Sequence, residues 1–259
     1  MKWEQTFAYL HLEDLHVPRS LPKRYIEGNK VDTPLETLER LVRYTSGFDG
    51  SDSCEQFRIE LLKLYQAALN HVEEVLDPFI ERFRENSMII LTGDHGEAHW
   101  EHHRIDQRFT DSRPNYSVGH GGTPFDMVTR VPLAADVLDG KILPENGFAL
   151  LYDIPVTVSR EVLKDHPFDK REWHEEIPEN RIVSCEGTRY GTERKAAYRG
   201  RKKVIRSKTD GMTLTSEINP NACEIFTGEG LDDEEILELL GALPEYWSDW
   251  NIDSKTGTV

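Results

Sequence analysis

Cysteine is scarce in this chain of 259 residues, which holds only Cys54, Cys185 and Cys223. Three thiols so widely spaced cannot staple a small disulfide framework or build a Cys-rich zinc module, and a reducing interior is the expected setting. Long apolar runs are also missing. No stretch approaches the roughly 18 apolar residues that a bilayer-spanning helix needs, which excludes a membrane-embedded class. The first ten residues include Glu4 and lack a continuous apolar segment, so no export signal is read there and a cytoplasmic location is expected. Positive charge is in deficit: 31 Lys and Arg face 47 Asp and Glu, for a net charge of −16. A chain of that sign repels a phosphate backbone, so neither nucleic acid nor a membrane is expected as a partner. Of the bases, 12 are Lys and 19 are Arg. An acidic, lysine-poor composition suits a salt-rich cytoplasm, where salt screens self-repulsion, and a halophilic source is the corresponding expectation.

What is present is an alternation of strand and helix signals. Thr6 to Leu12 is aromatic enough for a short buried strand and leads into the polar cluster Glu13, Asp14 and His16. Arg19 to Asp32 reads as loop, and Thr33-Pro34-Leu35-Glu36 opens a helix with Thr as cap and Pro in the first turn. Gly47 to Ser53 interrupts. From Glu60 to Phe83 the apolar residues recur at helical 3,4 spacing, with Pro78 predicting a kink or break. Met88 to Thr92 is a short unbroken apolar run, predicted to be a parallel strand covered on both faces. His99 to Arg113 reads as polar loop, Val131 to Val137 as another buried strand, and Leu150 to Leu163 as a helix opened by Asp153. Beyond Pro167, the pieces Arg181 to Glu186, Lys195 to Arg199, Lys202 to Ser207 and Met212 to Ile218 predict a small antiparallel sheet, followed by an acidic helix from Asp232 to Leu240. The fold class expected is α/β, a mostly parallel sheet flanked by helices over residues 1–170, with a small α+β subdomain over 171–259.

Polar clusters at the carboxyl ends of strands are where open α/β sheets place their active sites. Asp94 and His95 follow the Met88–Thr92 run directly, and Gly93 and Gly96 let the backbone bend around them. A carboxylate and an imidazole so placed can converge on one divalent cation; the structural alternative is that Asp94 caps a helix and His95 bonds locally. His16 follows the first predicted strand, and His120 sits in the glycine-rich Val118-Gly119-His120-Gly121-Gly122. A lone loop histidine is usually a solvated one, whereas three in such positions suggest a common site able to hold an anion and protonate a leaving oxygen.

FAYLHLEDLHVP, YQAALNHVEEVLDPFIERF, MIILTGDHGE, GHGGTPFDMVTRVPL and YDIPVTV stand in the order and approximate spacing of sulfatases in the alkaline phosphatase superfamily, which the chain resembles from Thr6 to about Val158. More loosely, Glu224-Ile225-Phe226 resembles the closing strand. The resemblance implies an α/β core with a C-terminal antiparallel subdomain. It also implies hydrolysis of an anionic ester, on a small molecule or carbohydrate, through a covalent intermediate beside a divalent metal. That metal is expected to be Ca2+, with Mg2+, Mn2+ or Zn2+ as alternatives. Asp94 and His95 fall among its ligands, and His16 and His120 fall near the ester oxyanion as the catalytic pair.

The departures bear on activity. Family members carry paired aspartates at the end of an early strand, then a nucleophile in a Cys-x-Pro-x-Arg setting, and neither precedes Phe7 here. Cys54 and Arg58 have the matching separation, but Gln56 replaces the small or Pro residue and the segment follows the first histidine motif instead of preceding it. Gly121 stands where the family often has Lys. The expectation is therefore a truncated or split sulfatase-like chain, inactive alone and completed by an N-terminal half of the same enzyme. A phosphoester or phosphonate hydrolase and a noncatalytic binding protein on the same scaffold are the alternatives. A His-Glu-x-x-His zinc site is disfavoured because Glu97 lies at the wrong offset from His95 and His99.

Overall fold

The computed structural model describes residues 7–38, 48–109, 118–136, 149–151, 153–155, 158–159, 181–187, 194–219, 224–226 and 231–245. Helix α1 (Lys23–Gly28) is followed by one helical turn at 35–38 and by the long helix α2 (Asp52–Phe83). Ser51 caps α2 by accepting from the Cys54 amide, so the helix starts eight residues before the predicted Glu60 and places Cys54 in its first turn. The Gly47–Ser53 signal was a cap as much as a break. The helix runs on through Pro78, where a kink or a break was expected, without a break. Leu61, Leu64, Ala67 and Ala68 form its buried stripe.

Two corrections concern strands. Residues 7–12 form no strand: Phe7, Tyr9 and Leu10 are exposed, and no described segment pairs with them. An aromatic, β-branched composition favours a strand only where a neighbour supplies the ladder. The Met88–Thr92 run does form β1 (Ile89–Thr92), but it pairs antiparallel with β4 (Leu133–Asp136), Ile89 opposite Asp136 and Thr92 opposite Leu133. The expected parallel sheet is not met among the described residues, where every strand pair is antiparallel. An unbroken apolar run carries no signal for a partner's direction, and the expected cover on both faces is not met either, because Leu91 and Thr92 are exposed.

The predicted loop 99–113 begins with β2 (Ala98–His99) and includes the short helix α3 (His103–Asp106), both within the part described. β2 pairs with β3 (Val118–Gly119), and α4 (Asp126–Thr129) follows. Of the predicted helix Leu150–Leu163, residues 153–155 and 158–159 are helical, residues 150 and 151 are not, and the others fall outside the described residues.

The C-terminal sheet matches its expectation closely: β5 (Ile182–Gly187), β6 (Arg194–Arg199), β7 (Lys202–Ser207) and β8 (Thr213–Glu217) in sequential antiparallel order, then α5 (Asp233–Gly241). Asp232 and Glu235 close a capping box at the start of α5. Both faces of the sheet are covered. Val183, Ala196, Tyr198, Ile205 and Leu214 pack on Phe109 and Phe125, so one core joins this sheet to the preceding segment. Ala197 and Val204, on the opposite face by strand alternation, pack on Leu239 of α5. No helix among the described residues is long and apolar enough to cross a membrane.

Charges also enter this core. Arg194 pairs with Asp106 with both side chains fully buried, and its guanidinium lies 3.7 Å from the Phe109 ring centroid. Lys203 Nζ, also fully buried, donates to Glu224 Oε2 at 2.9 Å and to the Pro124 carbonyl. Removing one member of such a pair leaves a desolvated charge. Glu224→Gln should therefore lower unfolding stability by about 3–5 kcal/mol in urea titrations, with Lys203→Met/Glu224→Gln losing less than the two single changes summed. A Glu224→Gln loss below about 1 kcal/mol would contradict this role.

Candidate functional site

The site is built where three segments meet. β2 and β3 pair with Ala98 opposite Gly119, so the next positions outward, Glu97 and His120, face one another across the end of the ladder. His120 is flanked by Gly119 and Gly121, both at positive φ, which turn the chain sharply on either side of it. Gly96 is fixed by close approach: its amide donates to the Val128 carbonyl at 2.7 Å, and a Cβ on it would lie 1.9 Å from the Met127 carbonyl oxygen. Only glycine lets this segment cross α4 so closely. The third segment, 13–19, is tied to α2 through Asp14, 3.6 Å from His71, and through Arg19, whose guanidinium sits 5.4 Å from the Tyr65 ring centroid.

All four residues singled out from the sequence come together. The His95 and His120 rings stack at 3.9 Å between centroids, and His16 lies 5.4 Å from His120. Asp94 Oδ2 is 3.7 Å from His95 Nε2. No helix follows Asp94; instead its Oδ1 accepts from the His95 amide at 2.9 Å. Burial opposes charge on Asp94, but the His95 amide and imidazole, with His11, hold its carboxyl below the usual range.

His95 Nδ1 lies 2.9 Å from the Gly96 carbonyl, which can only accept. Nδ1 therefore carries a hydrogen, and Nε2 is the ring nitrogen beside the Asp94 carboxylate. Two donor atoms bound to one cation at about 2.0–2.4 Å stand roughly 3.3–3.7 Å apart, so Asp94 and His95 fit a shared divalent ion. His95, Glu97 and His120 also bring one ligand atom each within 4.8 Å of one another. Two imidazoles and a carboxylate form a donor set richer in nitrogen than calcium usually takes.

Glu97 and Arg19 are members of the site that sequence reasoning passed over. Glu97 Oε2 lies 2.7 Å from His120 Nδ1. Burial alone would push the Glu97 carboxyl up, but the hydrogen bond and charge of His120, with His99 and Arg19 nearby, bring it below the usual value. Arg19 is buried, its guanidinium near the Glu97 carboxylate. The cross-strand register of Glu97 with His120 was the available signal, hidden by the two-residue length of β2 and β3.

A second grouping, His102, Asp126 and Glu224, has the same spacing. There a cation's place is already held, because Lys203 pairs with Glu224 and Arg130 pairs with Asp126 at 3.1 Å. Asp126 and Glu224 also exchange backbone-to-carboxylate hydrogen bonds, and the rings of His102, Phe125 and Phe226 contact one another. This cluster ties α4 to the C-terminal sheet.

The chain belongs to the sulfatase family, an α/β class: residues 3–133, half of its length, match that family. A solved "4S-sulf" protein, described with the metabolism of multiple glycosaminoglycans by Bacteroides thetaiotaomicron, is 18% identical with a TM-score of 0.36. The match covers 82% of this chain and 44% of that one, so this chain spans less than half the length of that protein. Curated proteins gave no match.

His99, buried on β2 against Tyr65, gives the site a pH signature. Burial lowers its pKa from the ordinary 6.5 to about 4, against the pull of Glu97. Between those values the unfolded chain binds the proton and the folded chain does not, so stability present above pH 6.5 falls as pH drops towards 4. The loss attributable to His99 should be about 3 kcal/mol. His99→Gln should flatten that acid limb in denaturation measured from pH 7 to 4; an unchanged slope would contradict the assignment.

Proposed function

We propose that this chain supplies the histidine and acidic half of a sulfate-ester hydrolase site. The juxtaposition of His16, His95 and His120, with Asp94 beside His95, carries the reading, in a chain of this family. Asp94 and His95 would hold the divalent metal, which when bound polarises the ester and stabilises charge on its oxygen. Calcium is the family expectation, with Mg2+, Mn2+ or Zn2+ as the alternatives.

His120 and His16 would face the anionic group from the other side of the crevice, offering N–H donors to its oxygens and a proton to the leaving group. The buried Arg19 adds positive charge behind them. No nucleophile in the family's Cys-x-Pro-x-Arg setting occurs in the 259 residues, and Cys54 is built into the first turn of α2. The covalent step therefore calls on an N-terminal portion of a sulfatase carrying that segment and the paired aspartates. The substrate is an anionic ester of a small molecule or carbohydrate.

The test is hydrolysis of paired aryl sulfate and aryl phosphate substrates. The chain alone should turn over neither. Co-expression with a matching N-terminal portion should give metal-dependent sulfate release, and Asp94→Ala should reduce it by about 10²–10³-fold or more. Hydrolysis by the chain alone, or turnover that survives Asp94→Ala, would contradict the proposal. Preference for the phosphate would instead favour the phosphoester or phosphonate alternative.

A further inference from the structure

Glu97 admits two roles. Its carboxylate lies close enough to His95 and His120 to join them around a cation, and it also holds His120 by a hydrogen bond. We infer that Glu97 is the positioning partner of His120, fixing the imidazole as its Nδ1–H tautomer, and is not a metal ligand.

Three observations support this. The ladder register puts Glu97 directly across from His120, so their approach is set by backbone pairing and needs no ion to draw the side chains together. The carboxylate is already engaged, with Oε2 2.7 Å from His120 Nδ1. Gly119, at φ 78°, provides a turn that a residue with a side chain would strain. The carboxylate is also only 14% exposed, so rotating it towards a cation would break a charge-assisted bond in a poorly solvated place.

The chemical consequence follows from donor arithmetic. An ionised carboxylate only accepts, so His120 Nδ1 must carry the hydrogen, and Nε2 is left as the ring nitrogen that Glu97 does not engage. The stacked His95 is set the same way by the Gly96 carbonyl. Both imidazoles thus carry hydrogen on the same nitrogen, which leaves His95 Nε2 beside Asp94.

This deepens the hydrolase reading and rests on it for the role of His120, but its test needs no turnover. In the full chain with ¹⁵N-labelled histidine, long-range ¹H–¹⁵N correlation reads each ring's tautomer, with His120→Gln assigning the signal. His120 should be the Nδ1–H form at neutral pH. Glu97→Ala should release it into exchange with the Nε2–H form, while Glu97→Gln, whose amide oxygen still accepts, should keep Nδ1–H. Mn2+ affinity, measured by the same chain's water-proton relaxation, should change by less than about threefold in Glu97→Gln.

A wild-type Nε2–H tautomer would overturn the inference without requiring any variant to fold. So would a tautomer indifferent to Glu97→Ala, or a Mn2+ affinity reduced about 10- to 100-fold in Glu97→Gln, the size expected when a metal's coordination environment is disturbed. Absence of hydrolysis would bear on the proposed activity alone and leave these readouts standing.

Discussion

Backbone pairing of Ala98 with Gly119 and of His99 with Val118 brings two segments about twenty residues apart into register. Two rungs are a weak ladder by themselves. They hold because Gly96 is pressed onto α4, with its amide bonded to Val128, and because His99 is buried against Tyr65 of α2. From that register follow the opposition of Glu97 and His120, the stacking of His120 on His95, and the place of Asp94 beside His95. A shift by one residue would turn Glu97 and His120 to opposite faces and dissolve the site.

That ladder rests on a firmer foundation. The four-stranded sheet is covered on both faces, and its inner face shares a core with Phe109 and Phe125 on either side of β3. Buried ion pairs, Arg194 with Asp106 and Lys203 with Glu224, stitch the sheet to α3 and to the Thr123–Asp126 turn. Such pairs contribute little net stability relative to apolar replacements, but they penalise any arrangement that leaves one partner unmatched. They therefore specify how the sheet meets the segment bearing His120.

The C-terminal sheet was legible because each strand is short, β-prone and bounded by a turn. The grouping of Asp94, His95, His16 and His120 was legible from their places after apolar runs and among glycines. What stayed hidden was pairing. Nothing in the composition of Met88–Thr92 distinguishes a parallel neighbour from the antiparallel β4, and nothing in 7–12 shows that its aromatic residues stay exposed. Glu97 was hidden for the same reason: its role is a cross-strand relation between two residues 23 apart, not a local pattern.

The central proposal is that three histidines from separate segments and Asp94 form one cluster that binds a divalent cation. Substoichiometric Mn2+ added to the ¹⁵N-histidine-labelled chain tests it most directly, because a paramagnetic ion broadens the imidazole signals nearest to it. The account predicts that His16, His95 and His120 broaden together and that Asp94→Asn removes the effect at all three. Broadening at His95 that leaves His16 and His120 sharp, or broadening of all three that survives Asp94→Asn, would contradict it.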